Sequence, residues 1–275
     1  MNVLTNIAIR AALDAGKEML KIFNSDDFGV RLKSDDSPLT EADLKSHHII
    51  ADALKSTDIP VLSEEGAELS HNERKDWTKL WIVDPLDGTK EFVKRSGEFT
   101  VNIALVEHQK PIMGVVLAPY LGWLYWGDEN GAFKAELSKT WVDETSELIM
   151  SKMQAKTLPC EKKEVCTVVA SVSHFSKETE QYINTLKVKE GTVELVSRGS
   201  SLKMCLVAEG SAHLYPRLGP TMEWDTAAGQ AVVEAAGGQL FDWKIKRPML
   251  YNRPELLNGW FLAARKGVQI EDYFL

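Results

Sequence analysis

The sequence predicts a layered α/β (α+β) protein, and three features carry that prediction. An amphipathic helix opens the chain, a run of adjacent β-rich segments crosses residues 99–134, and strand and helix segments alternate from residue 165 onward. Alternation of that kind specifies stacked layers of sheet and helix around shared apolar faces.

Taken in order, Val3, Leu4, Ile7, Ala8, Ala11, Ala12, Ala15, Met19 and Leu20 recur at helical spacing, so 3–23 is expected to be a helix. Residues 34–39 form a polar turn with Pro38, and a second helix starts near Thr40, whose hydroxyl can cap it while Asp43 occupies the first turn. The short apolar run 59–62 ends in Ser63, Glu64, Glu65 and Gly66, and the apolar run 80–83 is a buried strand that delivers Asp84. Segments 99–106, 111–118 and 122–126 read as strands, with a turn at 128–131. Residues 138–163 are polar and weakly periodic, as expected of a connection between an N-terminal half, 1–160, and a C-terminal half, 161–275. In the second half strands are expected at 165–171, 193–196, 213–215, 239–243 and 259–263, and helices at 177–186, 202–208 and 226–236.

Composition narrows the function. The 275 residues suffice for one large domain or two modest ones, with 44% hydrophobic and 26% charged residues. A formal charge of −8 argues against a general nucleic-acid binder, but not against a phosphorylated small molecule, because local cations or metals can reverse the potential in a cleft. Cys160, Cys166 and Cys205 are odd in number and show no C-x-x-C spacing, so neither a disulfide framework nor a zinc site is expected. Charges at Arg10, Asp14, Lys17 and Glu18 interrupt the first residues, so no signal peptide is expected there. No apolar run approaches the ~18–20 residues of a membrane span. A reduced, cytoplasmic setting follows, with room for peripheral association on the inner face of the cell membrane.

The chemistry concentrates in Asp84, Pro85, Leu86, Asp87, Gly88 and Thr89. Two carboxylates end an apolar strand, Pro85 stiffens the turn between them, and Gly88 permits close backbone approach. Hard divalent cations take oxygen ligands, and Mg²⁺ uses a few carboxylates while keeping water and phosphate in its shell. A helix beginning near Gly88 would aim its first N–H groups at an anion. The competing reading is a structural strand-to-helix turn. Likewise Glu64 and Glu65 can be a solvated loop, and Asp225, ahead of an alanine-rich helix that Gly237 and Gly238 end, can be its N-cap.

Considered together, the order Asp43, Glu64 and Glu65, the 84–89 motif, Trp224 and Asp225, and finally Gly237 and Gly238 resembles the lithium-sensitive phosphatases related to inositol monophosphatase. The resemblance covers nearly the whole chain and implies a layered αβαβα sandwich with the active site between two halves. It implies two or more Mg²⁺ per site, with Glu64, Asp84 and the Leu86 carbonyl holding one ion and Asp84, Asp87 and Asp225 a second. It also implies that Gly88 and Thr89 cradle the scissile phosphate, that Thr89 and Asp43 orient and deprotonate the attacking water, and that Li⁺ inhibits. Glu65 enters as an outer partner.

Within that family, residues 199–203 and 214–225 look like the bacterial 3′(2′),5′-bisphosphate nucleotidases of the CysQ type. Arg217 stands where inositol phosphatases usually carry a Glu, and a guanidinium suits a second phosphate. The implied substrate is adenosine 3′,5′-bisphosphate (PAP), cleaved to AMP and phosphate, with phosphoadenylyl sulfate (PAPS) as a second substrate. Glu64 and Asp225 would then also border the substrate, and Lys203 would add a cation. Arg217 can equally be a surface salt bridge, Lys203 a helix residue, and His174 either a stacking surface or a hydrogen-bonded loop histidine. The rival functions are an inositol or sugar monophosphatase and a silent phosphonucleotide sensor. The complete set of acids and the Thr89/Asp43 pair speak against the sensor.

Overall fold

The alternation of side chains along the long strands determines how the layers stack. The computed structural model describes residues 2–25, 29–32, 38–171 and 176–275; His174 and most of the expected 34–39 turn lie outside them. A seven-stranded sheet takes Val61–Ser63, Lys79–Asp87, Thr100–Glu107, Lys110–Ala118, Trp123–Asp128, Gly131–Glu136 and Ala155–Thr157 in chain order. Its first pair is parallel and the rest is an antiparallel meander. Trp81, Val83, Ile103 and Leu105 point to one face, covered by helices Val3–Phe23 and Glu41–Leu54. Leu80, Ile82, Ala104 and Val106 point to the other, covered by helices Leu202–Glu209 and Glu223–Ala235. Strands buried on both faces lack alternation and read as continuous apolar runs.

The same two helices cover a six-stranded sheet ordered Val193–Ser197, Cys166–Ala170, Leu214–Arg217, Phe261–Ala264, Gln239–Asp242 and Arg247–Pro248. Val169, Tyr215, Phe261 and Ala263 face them, while Val168, Leu214, Leu262 and Ala264 pack with helix Lys177–Glu190. Helices, sheet, helices, sheet and helix make the five αβαβα layers. Close approach in the middle layer depends on small residues. A Cβ on Gly114 would lie 2.3 Å from the Ala228 carbonyl oxygen, and one on Gly127 would lie 2.8 Å from the Ala235 Cβ. The face of Ala227, Ala228, Ala231, Val232 and Ala235 therefore seats its helix directly on the first sheet.

Two expectations are corrected. Residues 138–163 are more than a connection: they hold helix Ser146–Lys152 and the edge strand Ala155–Thr157, and Trp141 and Ile149 are buried in the first core. These elements are too short to show a period. Asp225 is not an N-cap, because its helix starts at Glu223, and the Asp225 carboxylate instead accepts the Met222 N–H at 2.8 Å from inside the first turn. Among the described residues no helix is long and apolar enough to cross a membrane.

Candidate active site

Three residues of separation would place Asp84 and Asp87 on opposite faces of a regular strand. The register corrects this. Asp84 pairs with Asn102 and Asp87 with Thr100, so two residues of one strand face one of the other between them. Asn102 and Thr100 share a face, so this β-bulge turns both carboxylates to the same side. Pro85 sits in the bulge, where the ladder is already broken and its missing N–H costs nothing. Asp84 Oδ1 accepts the Leu86 N–H at 3.1 Å, which holds the kink. Gly88 follows with φ +93°, a conformation that favours glycine, and starts the short helix Thr89–Val93.

Four carboxylates converge here. Glu64, at the end of the neighbouring parallel strand, Asp87 and Asp225 line a cleft of about 420 Å³, and Asp84 is buried beneath. Burial, then the charges of Glu64, Asp87 and Asp225, push the Asp84 carboxyl well above the ordinary carboxylate range. Burial likewise raises Asp87, against opposition from Lys203, and raises Asp225 to about 8 with reinforcement from Asp87. The cations Lys90, Lys203 and Arg217 line the same cleft, and the donor set, which includes the Leu86 carbonyl, is entirely oxygen. Such a set suits hard divalent cations. Among the described residues no three of these side chains already form a closed ligand cluster. Asp87 and Asp225 are turned onto protein donors, Ser201 and the Met222 N–H.

This electrostatic arrangement has a consequence for the metal-free protein. Asp84, Asp87 and Asp225 keep protons in the folded chain that the unfolded chain releases near pH 4. Their stabilisation is therefore complete below about pH 4 and is lost as the pH rises towards about 8, the value to which burial pushes Asp225. Chelator-treated protein is expected to melt on the order of 5–10 °C lower at the upper end of that window than at its lower end. Calorimetry checks this, and Asp225→Asn should flatten the fall; an unchanged slope in that variant would remove Asp225 from the account.

The Asp43 carboxylate lies on the other side of Thr89. Its Oδ2 accepts the Thr40 N–H at 2.7 Å and the Thr40 hydroxyl at 2.6 Å, which completes a capping box, while Oδ1 lies 3.2 Å from Thr89 Oγ1. The Leu86 carbonyl is a second acceptor for that hydroxyl at 3.4 Å. Burial raises the Asp43 carboxyl above its ordinary value, and the nearby charge of Glu65 adds to the rise. Glu65 is thus a neighbour of the catalytic candidates, outside the lining of the cleft.

The opposite wall comes from the second sheet and its turns. Arg217 lines the cleft, donates from Nη2 to the Pro220 carbonyl at 2.8 Å, and has a buried Nε with no partner. Among the described residues it makes no salt bridge, and its hydrogen bond to a protein carbonyl is that to Pro220. Lys203 is buried, with Nζ 2.6 Å from the Ser200 carbonyl and 3.3 Å from that of Arg198. Burial brings its ammonium down to about 8 against the attraction of Asp87, so much of this cation is spent inside the chain. The sequence reading gave no individual role to three further residues, Ser200 and Ser201 of this wall and Asn102 of the first sheet. Ser200 lines the cleft at φ +44° with a buried, unpartnered hydroxyl; Ser201 and Asn102 both bond Asp87. For Asn102 the available signal is an amide in the middle of the apolar run 99–106.

With this geometry established, the comparisons are informative. The model of the inositol monophosphatase family matches residues 1–269. A 3′(2′),5′-bisphosphate nucleotidase CysQ of Shigella flexneri is 44% identical over 257 residues, covering 92% of this chain and 96% of that protein. The protein of the same name from Escherichia coli K12 is 43% identical with the same coverage. The crystal structure of CysQ from Bacteroides thetaiotaomicron superposes with a TM-score of 0.83 at 47% identity, covering 95% of this chain and 97% of that one. Because the family model spans nearly the whole sequence and the fold agrees, this chain belongs to the inositol monophosphatase family.

Proposed function

We propose that the chain is a Mg²⁺-dependent 3′(2′),5′-bisphosphate nucleotidase that removes the 3′-phosphate of adenosine 3′,5′-bisphosphate to give AMP and phosphate, with phosphoadenylyl sulfate as a second substrate. The observation that carries this reading is the placement of Arg217, with an unpartnered Nε, across one cleft from the bulge-aligned acids. The names of the CysQ relatives support it. In this reading the cleft lies between halves 1–160 and 161–275, and the enzyme works on a small nucleotide in the cytoplasm.

Glu64, Asp84 and the Leu86 carbonyl would hold one Mg²⁺, and Asp84, Asp87 and Asp225 a second. Bound there, the ions would lower the pKa of water and neutralise phosphate charge. The chain's own groups do the rest. Asp43, anchored on Thr40 through Oδ2, offers Oδ1 to the Thr89 hydroxyl. Thr89 can then accept a proton from the attacking water while passing its own to Asp43, whose burial-raised affinity for protons suits that task. Backbone N–H groups at Gly88 and Thr89 receive the scissile phosphate at the start of the short helix. Glu64 and Asp225 border the ester, and Arg217 takes the 5′-phosphate.

Phosphate release from adenosine 3′,5′-bisphosphate, AMP and inositol 1-phosphate with Mg²⁺ present tests the assignment, and preference for the inositol ester would overturn it. Arg217→Ala should weaken use of the bisphosphate by about 1.5–3 kcal/mol, a charge-assisted hydrogen bond, and leave a monophosphate nearly unaffected. Equal losses on both substrates would make Arg217 structural.

A further inference from the structure

Building on the metal-site reading, we propose that Asn102 is a positioning residue that acts with Ser201 to fix the orientation of Asp87, and so sets cation affinity. Asn102 is 1% exposed and sits in a strand whose neighbours Val101 and Ile103 are fully buried apolar residues. Its Nδ2 donates to Ser201 Oγ at 2.9 Å and to Asp87 Oδ2 at 3.4 Å. Ser201 Oγ in turn lies 2.8 Å from Asp87 Oδ2 and 2.8 Å from the Asp225 carbonyl oxygen. Because Ser201 accepts from Asn102, its single hydroxyl proton is directed towards these two acceptors, of which the carboxylate is the stronger.

Two details single out this arrangement. Both donors reach the same Asp87 oxygen, Oδ2, which leaves Oδ1 to face a cation. The Asn102 carbonyl oxygen, Oδ1, is buried without a partner. Rotating the amide by half a turn would set that oxygen against the Asp87 carboxylate, and Ser201 could bond it only by turning its hydroxyl proton away from Asp87. The unpaired oxygen is thus the consequence of pointing the NH₂ group at Asp87. A buried amide that is only half satisfied, inside an apolar strand, breaks a packing rule, and such breaks are expected where function requires them. The link also spans the molecule. Asn102 belongs to the first sheet and Ser201 to the turn before helix Leu202–Glu209, so the pair registers Asp87 against the segment that carries Asp225.

Asn102→Leu keeps the volume and removes the donors. Calorimetric titration of the substrate-free variant with Mg²⁺, and with Mn²⁺ as a tighter probe, should show affinity lowered about 10–100-fold, the range for loss of an outer partner of a metal ligand. The Mg²⁺ concentration for half-maximal turnover should rise in parallel, while KM for the bisphosphate at saturating Mg²⁺ stays unchanged. Ser201→Ala should reproduce the loss, and the double variant should lose less than the sum, because both residues act through Asp87. Ser201→Ala also carries the test if Asn102→Leu does not fold. Cation affinity within about twofold of the parent in a folded variant would overturn the proposal. If the parent itself binds no divalent cation, the metal-site reading fails instead, and the two failures are distinct.

Discussion

Asp84→Asn is expected to lower turnover of the bisphosphate by more than about 100-fold, beyond the range for losing an outer partner, while raising the melting temperature of the metal-free protein. Both effects have one cause. Asp84 is 1% exposed, its neighbours are Glu64, Asp87 and Asp225, and burial with three like charges drives its proton affinity upward. A neutral amide removes the cost of keeping an acid protonated beside those charges, and its oxygen can still accept the Leu86 N–H that Asp84 Oδ1 accepts at 3.1 Å. The fold should therefore gain, and the bulge should persist. The same exchange removes the one acid assigned to both ions. Steady-state phosphate release beside calorimetry of the chelator-treated protein reads the two quantities. A stabilised variant that keeps normal turnover would refute the ligand assignment, and an unstable one would refute the protonation account.

Much of this fold is legible in the sequence, and the limits have physical reasons. Helices with a strong apolar stripe, such as Val3–Phe23, and strands bounded by turn residues declare themselves within a short window. The αβαβα order came from the family resemblance, because which face of a strand meets which helix depends on residues far apart in the chain. The 84–89 motif names acids that the structure brings together at the cleft, but as a turn after a strand. The structure shows the strand running on to Asp87 through a bulge, and a bulge is a property of register with Thr100 and Asn102 that no local pattern encodes. Asp225 was ambiguous for a related reason: a carboxylate at the third helical position and one at the cap look alike until the helix start is known. Asn102 was visible as an amide among Val101, Ile103 and Ala104, yet its partner Ser201 lies 99 residues away.

Asp43→Asn is expected to cut kcat by about 10²–10⁴-fold, the contribution of a positioned general base, with cation affinity and fold almost unchanged. Asp43 serves two purposes with two oxygens. Oδ2 accepts both Thr40 donors and caps helix Glu41–Leu54, and Oδ1 faces the Thr89 hydroxyl. An asparagine whose oxygen replaces Oδ2 keeps the cap, so little of the ~0.5–2 kcal/mol that a lost cap costs should appear. That orientation puts the NH₂ group where Oδ1 stood. It would donate to Thr89 Oγ1 and occupy the lone pair that should receive a proton from water, and the amide would accept no proton in return. Thr89→Val should show a similar loss, and Asp43→Asn with Thr89→Val should be little worse than either alone, since the pair acts as one unit. The acid limb of kcat/KM against pH gives an independent reading. Burial raises the Asp43 carboxyl, so in the parent this limb should lie above the ~4 of an ordinary aspartate, and Asp43→Asn should remove it from the residual activity. A folded Asp43→Asn enzyme with parental kcat and an unchanged acid limb would leave Asp43 with the helix cap alone.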